Sequence, residues 1–299
     1  MQLKEMGSAP AGIIPSHFKE SHYYITFRRL MKGKLAVAGF CIFITMVLIS
    51  IVAPWISPYD PSAANTLALI KPPSSAHWMG TDELGRDVFS RIIYGTRISL
   101  IVGVIAVVIA MGLGAFFGLI AGYWRGQVDN VIMSVMDAVW AFPTLILALA
   151  ITAALGPSLT NVVIAIGLVF TPGFARLVRG MVLTVREREY VESARAIGLT
   201  DSEIIRRYIW PNITSTIIVQ ASLNAAQAII AEASMSFLGL GIQPPAASWG
   251  SMLKDGYPYL EMAPWLSVFP GMAILVIVLG LNFLGDGLRD ALDVRIRVD

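Results

Sequence analysis

The chain has 299 residues, of which 56% are apolar and 14% charged. Ordinary globular chains are roughly 45–50% apolar and about 25% charged, so there are too few charges here to coat a water-soluble surface. Disordered, collagen-like and disulfide-rich classes are excluded by the same numbers. A net charge of +2 gives no case for a nucleic-acid partner, and the single cysteine, Cys41, excludes an intrachain disulfide.

Residues 1–34 are mostly polar. They do not read as a cleavable signal peptide, because the apolar run that follows is too long for an h-region. Charge-free runs occupy 35–53, 98–121, 159–175, 213–231 and 263–285, and a sixth, 131–155, contains one acid, Asp137. About 20 helical residues cross a hydrocarbon core of roughly 30 Å. The expectation is an all-α membrane protein with six transmembrane helices in 35–285, in a lipid surround. The run 159–175 is marginal unless it continues toward Leu183. Nothing alternates as barrel strands would.

Between the first two runs, 56–97 forms an outer segment. It begins extended around Pro58, Pro61, Pro72 and Pro73 and turns helical over 82–99, where Val88, Ile92 and Tyr94 could meet a membrane or protein surface. The second run carries Gly114, Gly118 and Gly122, a smooth strip that lets helices approach closely. It reads as tight packing within the chain, with a subunit interface as the alternative. In the third run, Pro143 follows Asp137 and suggests a kink. On the fifth, Gln220, Asn224 and Gln227 share one face and Glu232 comes late. Polar groups at membrane depth are costly and usually functional. These five residues are therefore candidates for a translocation path, the plainer reading being hydrogen bonding between helices. The outer loop 241–262 holds Pro244, Pro245, Trp249, Tyr257 and Tyr259, read as interfacial aromatics or else as a docking surface. Residues 286–299 form a tail.

Six spans put both termini on one side of the membrane. That side holds seventeen Lys and Arg, including Arg176, Arg179, Arg186, Arg188, Arg195, Arg206 and Arg207, against five on the other. The positive-inside rule makes it the cytoplasm.

The longest cytoplasmic loop, 186–212, is well specified. A helix-forming stretch ends at Gly198, suited to a left-handed C-terminal cap. Thr200-Asp-Ser-Glu203 then reads as a capping box. A second short helix runs through Ile204, Ile205 and Tyr208 and is expected to stop before Pro211. This helix–turn–helix is either a docking element or an interfacial brace.

Glu192-Ser193-Ala194-x-x-x-Gly198, followed after twelve residues by Pro211, resembles the EAA loop of ABC-importer permeases. Ser193, Tyr208 and Trp210 depart from that pattern. Gly80-Thr-Asp-Glu-Leu-Gly-Arg-Asp87, Ser248-Trp-Gly250 and Asn282-Phe-Leu-Gly-Asp-Gly-Leu-Arg-Asp-Ala-Leu-Asp293 are similar to signatures of the dipeptide, oligopeptide and nickel branch. The resemblance implies a type I importer permease whose coupling loop fits a groove on an ATPase. In that loop Glu192, Ser193, Ala194, Gly198, Arg206 and Pro211 are the candidate coupling residues. Glu192 would contact the ATPase or cap its own loop, Gly198 would permit the turn, and Pro211 would end the second helix. Implied partners are a homologous second permease, two ATPases and an extracytoplasmic substrate-binding protein, in a bacterial inner membrane. Cargo would be short peptides, or nickel or another small solute.

The chain has no Walker A sequence, so no cofactor is expected in it; ATP and Mg would belong to the ATPases. An intramembrane enzyme is disfavoured. His17, His22 and His77 lie outside the runs, there is no Gly-x-Ser-x-Gly, and the lone Asp137 forms no carboxylate dyad. No metal site is read. An autonomous secondary transporter would need coupling-ion sites and often repeats.

Overall fold

The computed structural model describes Arg28 and residues 30–292. Most of the segment 1–34, including His17 and His22, lies outside the described residues, as does 293–299 with Arg295 and Arg297. The described residues form α1 (Lys34–Ile56), α2 (Val88–Trp124), α3 (Gly126–Trp140), α4 (Thr144–Leu155), α5 (Leu159–Arg186), α6 (Glu189–Ala196), α7 (Asp201–Ile204), α8 (Trp210–Phe237), α9 (Trp249–Gly256) and α10 (Trp265–Leu292).

Among the described residues five rods are long and apolar enough to cross a membrane: α1, α2, α5, the unbroken stretch Asp201–Phe237, and α10. The marginal fourth run continues to Arg186, which gives it the length it needed. The third run is not one rod. Where the sequence suggests a kink, α3 and α4 meet at 88°. Pro143, with no N–H to give and ψ of 127°, stands outside both helices as the cap of α4. The spans number six if this bent pair counts as one.

The glycine strip on α2 sets the central seam. A Cβ on Gly114 would meet Phe174 and the Thr171 carbonyl; one on Gly118 would meet Ala175 and Val178; one on Gly122 would meet Val182. The strip serves packing within the chain, and α2 and α5 run parallel. Contacts of Gly39 with Gly280 and of Gly287 with Ala36 set α1 antiparallel to α10, so Lys34 and Leu292 lie at the same end. Gly103 against Ile229 with Ser99 against Glu232 sets α8 antiparallel to α2; Gly285 against Leu223, with Gly250 against Ala233 and Gly256 against Leu266 through α9, sets it antiparallel to α10. That end of the bundle therefore carries Tyr123, Arg186, α6 and α7, and the opposite end carries 57–87 and 238–264.

The opposite end is closed by the Gly80–Asp87 motif. Gly80 and Gly85 have φ of +78° and +74°. Lys71 and Thr81 exchange backbone and hydroxyl hydrogen bonds, and Asp82 Oδ1 accepts from the N–H groups of Leu84 and Arg86. Asp82 Oδ2 lies 2.6 Å from Arg86 Nε and 3.4 Å from Arg91 Nε. Arg86 also reaches Glu83 at 2.8 Å, with Asp255 of α9 at 3.9 Å. Asp87 caps α2 by accepting from the Ser90 N–H and receives His77 Nδ1 at 2.9 Å. This cap starts α2 ten residues before its charge-free run.

Trp249 corrects the interfacial reading. Its side chain is fully buried, and its indole N–H donates to the Ile92 carbonyl. Val88 is buried as well, whereas Tyr257 is exposed.

Candidate functional site

The middle of α8 carries the polar stripe. Gln220, Asn224 and Gln227 line one open cleft with Trp140, Thr144, Leu145, Val169, Phe170, Gly173, Ile230 and Ala231. Its volume is about 380 Å³, within the range of small-ligand pockets. The α3–α4 break supplies Trp140 and Thr144. A Cβ on Gly173 would meet nothing within 4 Å, so α5 leaves that wall open. Gln220 Nε2 donates to Asn224 Oδ1 at 3.1 Å. The lining offers neutral donors and acceptors on an apolar wall, with no fixed charge. Such a surface can pair with amide groups in passing without trapping them.

The two acids lie elsewhere. Asp137 does not line the cleft; it pairs with Arg176 Nη2 at 2.6 Å, and that guanidinium stacks 3.8 Å above the Trp140 ring beside the cleft. One helical turn on, Arg179 makes two hydrogen bonds to Asp129, at 2.5 and 2.6 Å. These pairs tie α3 to α5. Glu232 also lies away from the cleft, fully buried against Ser99 and Ser236.

The proposed coupling residues stand at the Tyr123 end. Val191 and Ala194 are buried against the bundle, and Glu192, Ser193 and Ile197 are exposed. Glu192 has no side-chain hydrogen-bond partner among the described residues. Gly198 has φ of +85°; its N–H donates to Arg195 O and that of Leu199 to Ala194 O, the two bonds of a Schellman cap. The capping box is present, Thr200 Oγ1 accepting from the Glu203 N–H and Glu203 Oε2 from the Thr200 N–H.

Pro211 departs from expectation. The helix begun at Asp201 does not stop before it. Ile205–Ile209 form a π turn in which the Trp210 N–H donates to Ile205 O, and Pro211 follows at the first turn of α8. The widened turn relieves the clash that a proline ring makes with the carbonyl four residues back. Arg206 is exposed on this turn.

Sequence reasoning missed two anchors of this end. The Tyr123 hydroxyl donates to Asp201 Oδ1 at 2.5 Å, and Arg186 Nη1 donates to the Tyr123 carbonyl at 2.6 Å. The only available hint was the aromatic pair closing the second apolar run.

The family described as "Binding-protein-dependent transport system inner membrane component" matches residues 114–298. The chain belongs to that family. The N-terminal transmembrane domain of oligopeptide transport permease C matches residues 23–73 of this membrane component. It is 46% identical over 271 residues to the dipeptide transport system permease protein DppC of Alkalihalophilus pseudofirmus, covering 91% of this chain and 89% of that one. It is 44% identical over 274 residues to the glutathione transport system permease protein GsiD of Pectobacterium atrosepticum, covering 91% and 90%. Among solved structures it is similar to the inward-facing MetNI methionine ABC transporter, with a TM-score of 0.58 and 16% identity over 69% of this chain and 98% of that one. That likeness shows the fold. The chain is thus a transport permease component and not an enzyme.

Proposed function

We propose that this permease component forms half of the translocation path of an ATP-driven importer for short peptides. It pairs with a homologous permease in a bacterial inner membrane, with both termini cytoplasmic. An extracytoplasmic binding protein delivers cargo, and two ATPases, holding ATP and Mg, receive α6. Peptide cargo is supported by the relatives named for dipeptide and glutathione transport and by a cleft lined with uncharged amides. Glutathione, itself a small peptide, is the second reading, supported by the 44% identity to the GsiD protein.

One observation carries the mechanism. The rod Asp201–Phe237 is an unbroken helix of 37 residues with the Gly198 turn and α6 at its start and the three amides along its middle. When ATP draws the two ATPases together, α6 moves with them. The rod passes that displacement to the cleft wall, and the cleft opens outward; hydrolysis resets it. Glu192 and Ser193 face the ATPase, Ala194 packs α6 on the bundle, Gly198 sets the angle, and Arg206 and Pro211 lie on the turn joining the loop to the rod.

The test is to purify the tagged chain gently from its native membrane, identify its companions by mass spectrometry and reconstitute the assembly in liposomes. Two ATPases, a second permease and ATP-dependent uptake of a labelled dipeptide are expected. A chain that comes alone and transports without ATP would overturn the proposal in favour of an autonomous transporter.

A further inference from the structure

Two ion pairs join α3 to α5 one helical turn apart, and they are not alike. Arg179 grips Asp129 with two hydrogen bonds, and the Asp129 side chain is only 11% exposed. Arg176 holds Asp137 by a single hydrogen bond from Nη2 to Oδ1 at 2.6 Å, with the two side chains 42% and 57% exposed. Among the described residues Arg176 thus commits one of the several N–H donors that a guanidinium carries. Its position is also particular. Trp140, the ring beneath it, lines the cleft, and so does Gly173, one turn earlier on the same face of α5. Gly173 puts no side chain on that face between the cleft and the guanidinium. From Arg176 to the end of α5 at Arg186 is about 15 Å of helix, so the pair lies at membrane depth. Exposed charge at that depth is costly against lipid and belongs beside water or protein.

We infer that Arg176 is the group that takes the cargo's carboxylate, and that Asp137 is the internal carboxylate it gives up in exchange. This rests on the importer reading above, with the cleft as its path. A peptide ends in a planar carboxylate, and a guanidinium fork pairs with that shape through two parallel hydrogen bonds. Asp137 already holds part of the fork, so cargo gains only the difference between two carboxylates. Binding is therefore selective but weak, as passage requires. Arg179, whose fork Asp129 already fills, has none to offer and serves as the brace. The three amides of the cleft meet the peptide backbone while Arg176 reads its charged end.

The test is saturation-transfer NMR on the permease–ATPase assembly in lipid nanodiscs, without binding protein, using dialanine and dialanine C-terminal amide as probes. Both probes carry the same ammonium, so the ratio of their dissociation constants reports on the carboxylate. Wild type should favour the acid at least about fivefold. Arg176→Gln should abolish that preference. Asp137→Asn should raise it by roughly two- to fivefold, as loss of a competing half-exposed ion pair implies. Both substitutions break the same pair, so a merely structural pair would move the ratio in neither variant or in both alike. An unmoved ratio, or a fall in both variants, would overturn the inference. Asp137→Asn gives the reading by itself should Arg176→Gln fail to accumulate. Uptake of labelled dialanine by the same assembly, with binding protein restored, checks the importer reading separately. Its absence in wild type would overturn that reading and this inference with it, whereas uptake with an unmoved ratio would overturn this inference alone.

Discussion

The two ends of this permease are built on opposite terms. The end formed by 57–87 and α9 is closed by a buried network of Asp82, Arg86 and Arg91, two glycines at positive φ and a buried tryptophan. The other end presents α6, which buries only Val191 and Ala194 and is followed by Ile197, 76% exposed. Both ends carry sequence signatures, but they encode different things. Gly80–Asp87 and Ser248–Gly250 spell out architecture, whereas 192–198 spells out a surface held at a fixed angle. Substitutions at the first end should therefore remove the protein, and those at the second should remove coupling while the protein survives.

The largest effect is expected from Gly85→Val. A Cβ there would lie 1.9 Å from the Asn65 carbonyl oxygen at φ of +74°, and neither chain can move cheaply. Destabilisation beyond about 4–5 kcal/mol, the exceptional range, should leave little protein in the membrane, read by quantitative immunoblot. Asp82→Asn strips the shared carboxylate from Arg86 and Arg91. Breaking a buried pair in this way costs about 3–5 kcal/mol, to be seen as a lower melting temperature in detergent.

Gly198→Val changes the other end. Nothing lies within 4 Å of its Cβ, but φ of +85° excludes a β-branched residue. Insertion and melting should be near wild type while ATP-driven uptake falls at least about tenfold, equivalent to ~1.4 kcal/mol of coupling. Normal uptake at normal expression would erase the contrast between the ends.

The smallest effect concerns Glu83. Burial first, then the Asp82 charge, raises its pKa above the ordinary carboxylate value despite nearby Arg86. A raised folded pKa contributes stability that is present in acid and lost as pH rises through the folded value. Glu83→Gln should thus be neutral to slightly stabilising at neutral pH, and the difference should shift against the variant below the usual carboxylate range. A variant less stable than wild type at neutral pH, with the deficit vanishing in acid, would show that the Arg86 pair outweighs burial.

Much of this was legible in the sequence because apolar runs report what lipid demands. The runs 35–53, 159–175 and 213–231 each fall within one helix, as does 263–285 from Trp265 onward, and the Thr200 box and Gly198 cap were readable because they are local. What escaped depended on partners far along the chain. The helix expected over 82–99 is present from Val88, but Arg91 and Arg97 interrupted the apolar run, so its continuity with the second span as one helix was hidden. The Asp82–Arg91 pairing could not be read locally, nor that of Asp137 with Arg176, 39 residues away. Trp249 matched an interfacial aromatic by type and position and became core because Gly95 leaves room for its ring. Pro211 looked like a stop because a single π turn has no sequence signature of its own.

The central claim is that α6 is the surface that meets the ATPase. It is tested most directly by placing a photo-crosslinking residue at Ile197 in the intact importer, with the exposed Tyr257 at the opposite end as control. The account predicts a crosslink to an ATPase subunit from position 197 and none from 257. A position 197 that labels only lipid or water, in an assembly that still imports, would contradict it.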